Sequence, residues 1–407
     1  MQQRWIPWAV PIWAEIAALG RSVVFAWIIG ADQLGQAMML ALVVRLTEMA
    51  SDLGVDRLLL QAPDGNSARF QAELQGVALI RGLVGAAVLA VLAPALAGLF
   101  PGGPNTLTYL SLAIVPLFRG LAHLDFRRAE RRFRYRLLAL VEGGATAAMA
   151  VLVAPAALVL GDHRAMVVVL IAHAVSYSAL SHIVASRGFR LRFSRTAMLR
   201  VWSFGAPLVL NAGLLFLTFY ADRLIVARAF DWATLALYGV TLQLALLPAQ
   251  IVGRAAGSLV LPRLREALRQ RNLLAVWQPV VNLHAGLALV VTCGFILLAP
   301  ILIDVIYGSA FRPDLMLALA IGVAAGFRVL RTPYSQLAVA TGRTGDPARA
   351  NLLRAAALVP AAGFAAAGLP LAAIGAAAAL GEAAATLRAV HLAHHSFDQS
   401  FSNEVTA

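Results

Sequence analysis

Runs of around twenty apolar residues, parted by short polar turns, recur along the whole of a 407-residue chain. At 1.5 Å of rise per residue, such a run crosses a hydrocarbon layer of about 30 Å as a helix. Lipid offers no hydrogen bonds to an open backbone, so the helix is the form in which these segments satisfy themselves. Composition points the same way. The chain is 60% hydrophobic and 13% charged, with a mean hydropathy of +0.78, whereas a soluble chain carries about a quarter charged residues. The fold class read here is all-α, a polytopic membrane protein.

Twelve spans are expected, at 8–29, 36–60, 76–100, 106–124, 137–160, 164–185, 203–228, 232–258, 278–304, 313–340, 350–368 and 370–392. Two sets of connections alternate between them. DFRRAERRFRYR (125–136), RGFRLRFSRTAMLR (187–200), PRLREALRQR (262–271) and TGRTGDPARANLLR (341–354) are rich in arginine. GADQLG, FPGGPN, GDHR, FDWA, YGSAFRPD and GLP are nearly free of it. Arginine-rich loops stay in the cytoplasm, so both termini are expected inside; arginine in place of lysine and abundant alanine suggest a GC-rich bacterial genome, and so a bacterial cytoplasmic (inner) membrane. The uncleaved first span opens a six-helix lobe at 1–186. A basic linker at 187–202 leads to a second lobe at 203–394, and a polar tail at 395–407 is read as unstructured.

Several chemistries are excluded. All 33 basic residues are arginine, which removes the phosphate-loop lysine and any lysine Schiff base. Cys293 has no cysteine to pair with. The net charge of +13 follows the loops, so nucleic acid is not an expected partner. No loop is long enough to bury a core of its own. His173, His182 and His284 read as packing histidines. His391, His394 and His395, on one helix end without carboxylates, make a poor metal site. No metal and no cofactor are expected.

RLTEMASDLGVDR at 45–57 follows directly on the apolar stretch QAMMLALVV. At 100° per residue, Arg45, Glu48, Asp52 and Asp56 fall within an arc of roughly 80°. Arg45 lies about 13 Å below the end of its span. A charge at that depth costs about 2.5–3.5 kcal/mol if it faces lipid, so the stripe is expected to face a wet central cavity, with Arg45 paired to Glu48. Arg21, Arg119, Asp222, Arg223, Arg254, Arg328 and Arg331 are further charges on spans. Arg119 and His123 read as a span end reaching the headgroups.

AWIIGADQLGQAMMLAL at 26–42 and ARAFDWATLALYGVTLQL at 227–244 share a pattern: span end, tight polar turn, new span. They suggest two six-helix repeats in one orientation, the parallel type of transporter repeat. The stretch 202–264 resembles the seventh and eighth helices of the bacterial polysaccharide-biosynthesis flippases of the MOP superfamily, which also contains the MATE exporters. Phe204-Gly205-Ala206-Pro207, Asp222-Arg223, Tyr238 and Leu261-Pro262-Arg263 carry the likeness. RSVVFAWIIGADQLGQ and SDLGVDRLLLQ are similar to that family's first two helices. Ala236 and Trp27 depart from it, standing where relatives carry glycine and arginine.

The resemblance implies two lobes around a central cavity. It also implies a lipid-linked oligosaccharide flippase, moving a polyprenyl-pyrophosphate-linked glycan outward by alternating access. Arginine suits a pyrophosphate because its planar fork binds two oxygens at once. Arg21, Arg45, Arg223, Arg254, Arg328 and Arg331 are the candidate pyrophosphate and glycan contacts. Glu48, Asp52 and Asp222 are candidates for ion pairing or for coupling to H+ or Na+. Pro207 and Pro248 are candidate hinges. Expected partners are the lipid-linked glycan, membrane lipids and the glycosyltransferases or polymerase of the same pathway. A MATE-like drug or metabolite exporter and a non-transporting scaffold of polysaccharide assembly stay as alternatives. A membrane glycosyltransferase is disfavoured by the short outer loops, so no enzymatic activity is expected.

Overall fold

A computed structural model describes the chain from Ile6 to Val405, with side chains to Ala393. Among the described residues, nine helices are long and apolar enough to cross a membrane. Contacts divide the chain into two units, Met1–Gly213 and Leu214–Ala407.

The first unit holds α1 (Ile6–Ser51), α2 (Val55–Gln61), α3 (Ala68–Leu99), α4 (Thr106–Ser111), α5 (Ile114–Gly120), α6 (Asp125–Glu130), α7 (Arg136–Leu138), α8 (Gly144–Leu160) and α9 (Arg164–Ile183). A straight helix of α1's 46 residues would measure about 69 Å, twice the hydrocarbon layer. Gly30, with φ 77 and ψ 177, breaks it at the GADQLG turn, a conformation that side chains forbid. The first two expected spans are therefore the two halves of α1. The fourth is the broken pair α4–α5. A π-helical turn at Ala139–Gly143 joins α7 to α8 in one span.

The division between the units falls inside α10 (Arg195–Ala229). The second unit continues with α11 (Trp232–Ala255), α12 (Leu261–Arg269), α13 (Leu273–Tyr307), α14 (Leu315–Ala340), α15 (Asp346–Ala356), α16 (Leu358–Ala366) and α17 (Leu371–Val405). A second π-helical turn, Ala256–Val260, joins α11 to α12. Counting α1 twice, and the broken pairs α4–α5 and α15–α16 once each, recovers twelve crossings. Neither Pro207 nor Pro248 ends its helix. The backbone of α17 runs on to Val405, through the tail read as unstructured; side chains from 394 onward lie outside the described residues.

The arginine-poor turns start their helices with short polar side chains. Asn105 accepts from the Thr108 amide at 2.9 Å. Asp231 accepts from Thr234 and Asp314 from Leu317, each at 2.7 Å. Each cap satisfies a backbone donor that the helix leaves open. Helix faces turned outward are apolar, with Val91, Val151 and Val159 among the most exposed residues, as lipid-facing surface should be. Close helix approach depends on missing side chains. A methyl on Gly82 of α3 would lie 2.9 Å from the Gly120 Cα of α5, the small-residue contact that lipid-embedded helices favour.

The basic segment at 187–194 does not hang free. It lies along α3: the Arg192 amide donates to Ala72 O at 3.0 Å, and Gln75 Nε2 to Arg190 O at 2.9 Å. Arg187 reaches Gln71 Oε1 and Asn66 O. Gly76 leaves the space, since a Cβ there would meet Arg192 O at 2.4 Å. The start of α10 is fixed to the same unit. Arg200 grips Asp64 with both terminal nitrogens, at 2.8 and 2.9 Å, and lies over the Phe70 ring. Gly205 rests on the Leu53 backbone.

Candidate functional site

The acidic stripe of α1 and α2 is met by arginines from other helices of its unit. Glu48 lies 3.5 Å from Arg119 of α5, Asp52 3.7 Å from Arg81 of α3, and Asp56 3.1 Å from Arg127 of α6. The expected Arg45–Glu48 pair is absent. Arg45 is exposed, with no ion pair or hydrogen bond among the described residues. An i,i+3 pair on one helix is worth a few tenths of a kcal/mol, and here Glu48 takes the cross-helix partner instead. Arg119 does not reach outward to headgroups. It crosses the Tyr177 ring at 4.4 Å and sits 3.3 Å from His173 Nδ1. Arg21 donates to Met149 Sδ at 3.4 Å and has no carboxylate partner among the described residues. His173 lies within electrostatic range of both Arg119 and Arg21.

At the arginine-rich end of this unit, Asp125 is buried. It accepts from Arg128 Nε at 2.6 Å and from the Ser186 amide and hydroxyl, both at 2.8 Å. Burial alone would raise its pKa, but Arg128 and Ser186 prevail and hold it at about 2. His123, read as a headgroup-facing residue, is instead buried. Its Nε2 lies 3.0 Å from Arg187 O, and its amide donates to Ser181. His182 and His284 each contact a backbone carbonyl, as packing histidines do.

In the second unit, Asp222 of α10 has no arginine partner among the described residues. Its Oδ2 accepts from the buried Tyr238 hydroxyl at 3.0 Å, and its Oδ1 accepts from the Arg223 amide. The Arg223 guanidinium folds back to Phe219 O at 2.8 Å, beside the Tyr220 ring. Arg254, near the end of α11, is half-buried.

Arg328 and Arg331 of α14 belong to a cluster that the sequence did not disclose. At its centre is Glu382 of α17, 3% exposed. Arg331 Nη2 is 3.1 Å from Glu382 Oε2; Arg354 Nε of α15 is 2.9 Å and Arg328 Nη1 3.9 Å from Oε1. Arg331 also donates to Asn351 Oδ1 at 3.1 Å. Arg328 and Arg354 both lie over the Phe219 ring, at 4.2 and 4.5 Å. The two sequence-named arginines are thus brought together, but committed to a carboxylate. Glu382 was legible as the acidic residue of an alanine-rich span, and an ionisable residue at that depth is a functional candidate by default. Arg354 lay where the arginine-rich stretch 341–354 overlaps the expected span 350–368, and was not named. Among the described residues no group of three His, Cys, Asp or Glu side chains could hold a metal; His394 and His395 lie outside the described side chains.

The comparisons with known proteins bear on the whole chain. Residues 24–314 match the family described as polysaccharide biosynthesis protein. The lipid II flippase MurJ, in an inward closed conformation, is similar with a TM-score of 0.76 at 14% identity, over 98% of this chain and 92% of that one. A multidrug resistance MATE family transporter of the MOP superfamily, inward-facing, gives 0.65 at 12% identity over 96% of each chain. The Vibrio cholerae MATE transporter VcmN, in its bent form, gives 0.57 at 16% identity over 97% of each. No curated protein matches the sequence. At these identities the likeness to solved structures is one of fold, an all-helical architecture shared along almost the whole chain.

Proposed function

The chain belongs to the polysaccharide biosynthesis protein family, and from that premise we propose that it is a flippase for a polyprenyl-pyrophosphate-linked glycan. The observation that carries the reading is the state of its membrane arginines. Arg21 and Arg45 in the first unit, and Arg223 in the second, have no carboxylate partner among the described residues. Guanidinium groups left without a counter-charge at membrane depth are costly unless something anionic and transient uses them. A pyrophosphate accepts several such donors at once. Arg254 is a further candidate contact. Arg328 and Arg331 are committed to Glu382 and take a lesser part.

The cargo enters from the cytoplasmic leaflet and leaves at the outer one by alternating access, with no covalent step and no cofactor. On this reading the protein sits in the bacterial inner membrane with both termini cytoplasmic, which the arginine-rich loops support. The enzymes that build or polymerise the glycan are the natural partners. If H+ or Na+ drives the cycle, Asp222 is the carboxylate to test, because Glu48 and Asp52 face arginines while Asp222 meets a neutral phenol.

A MATE-type exporter would share this fold; a cationic drug needs several carboxylates free of arginine, and here Asp222 is outnumbered by Arg21, Arg45 and Arg223, three arginines without a carboxylate partner among the described residues. The test is flipping of a fluorescent polyprenyl-pyrophosphate glycan in reconstituted vesicles. Arg45→Ala and Arg223→Ala should each cut transport at least tenfold without lowering thermal stability. Wild-type transport in both variants would refute the assignment. No transport by the wild-type protein would favour the scaffold reading.

A further inference from the structure

The cluster around Glu382 contains three guanidinium groups and one carboxylate, all drawn from the second unit. The other charges near it do not balance it. Asp222, whose Oδ1 takes only the Arg223 amide, is close enough for its charge to be felt at Arg354 and offsets part of the excess. Counting Asp222, one positive charge remains in surplus at a site whose side chains are 3–19% exposed.

The surplus has a location. Arg328 Nη1 and Arg354 Nη1 are both shielded from solvent and have no hydrogen-bond partner. Both guanidiniums lie over the same ring, Phe219, and both approach the same oxygen, Glu382 Oε1. The other carboxylate oxygen, Oε2, also lacks a hydrogen bond, but it lies on the Arg331 side at 3.1 Å. The unmade donors thus belong to the two arginines that approach Oε1, and the unmade acceptor faces the third. Buried donors left unmade in a native structure call for an unseen occupant. A water would meet their geometry while leaving the charge in place, and an uncompensated buried charge is the costlier fault.

We propose that the second unit carries a resident small inorganic anion of chloride size, held between Arg328 and Arg354 against the edge of the Glu382 cluster. Its size follows from the enclosure. The two nitrogens are closed to solvent, so the occupant has to shed its hydration, and one surplus charge calls for one monovalent ion. A monatomic halide does this. A pyrophosphate bearing a glycan does not, which sets the site apart from the proposed transport contacts. The anion is a structural counter-ion and does not travel with the cargo.

The test uses the full chain in lipid nanodiscs, unfolded by heat in sodium chloride and in sodium gluconate at equal ionic strength. Chloride should raise the melting temperature by several degrees and saturate, and bromide should replace it. Glu382→Gln, which removes the resident carboxylate, should enlarge the difference between chloride and gluconate. Arg354→Met and, as a second route should that variant misfold, Arg328→Met should abolish it. Identical unfolding of the wild-type protein in chloride and gluconate would overturn the proposal. So would saturable stabilisation by inorganic phosphate or pyrophosphate that chloride fails to reproduce, since that would mark an oxyanion seat.

Discussion

Replacing Glu382 with alanine is the sharpest perturbation available in the second unit. The side chain is 3% exposed, and the three arginines around it are 9%, 12% and 19% exposed. Its loss leaves Arg331 and Arg354 without the carboxylate that they meet at 3.1 and 2.9 Å, and Arg328 with no acidic neighbour in reach. Removing one member of a buried ion pair costs about 3–5 kcal/mol, because the abandoned charge keeps its desolvation penalty. Arg331 keeps Asn351 and both Arg328 and Arg354 keep Phe219, so the losses will not add in full. For a unit of this size each kcal/mol lowers the melting temperature by about 2–4 °C, giving an expected fall of roughly 6–20 °C. Intrinsic tryptophan fluorescence during heating, on purified protein in nanodiscs, measures it. Glu382→Gln keeps the volume and isolates the charge. If both variants melted within about 3 °C of the parent, the cluster would not be holding α14, α15 and α17 together, and the reasoning from buried charge would be wrong.

Three further outcomes can be checked. Asp125, with its pKa held at about 2, contributes stability that is in full force above its ordinary range and fades as pH falls from about 4 toward 2. Protonation should cost about 2–3 kcal/mol, and acid titration of Asp125→Asn should lack that component. Gly205→Val would bring a Cβ within 2.4 Å of Leu53 O and 2.7 Å of Leu53 Cα. Backbone cannot yield cheaply, so a loss of about 1–3 kcal/mol should appear in thermal unfolding. Asp222→Asn should leave the fold intact, because an amide still accepts from Tyr238, yet remove any dependence of flipping on a proton or sodium gradient. Gradient-dependent flipping in that variant would clear Asp222 of a coupling role.

Much of the architecture was legible from sequence because lipid enforces it. Span length and the short polar turns between spans act locally, within one helix or one turn. The pairing of charges was not legible. Glu48 chose Arg119, which lies 71 positions away in the chain, over Arg45 three positions off, and nothing local encodes that choice. Arg354 was passed over because TGRTGDPARANLLR reads as a polar loop running into the span at 350–368, whereas α15 already begins at Asp346 with a proline in its first turn, a favoured way to start a helix. Glu382 was visible as an anomaly, but its three partners come from two other helices.

Because residues 187–194 are stitched to α3 through main-chain bonds, a fusion protein or protease site inserted there would have to tear open the first unit. A reporter grafted into the turn at 342–345 would meet no such seam.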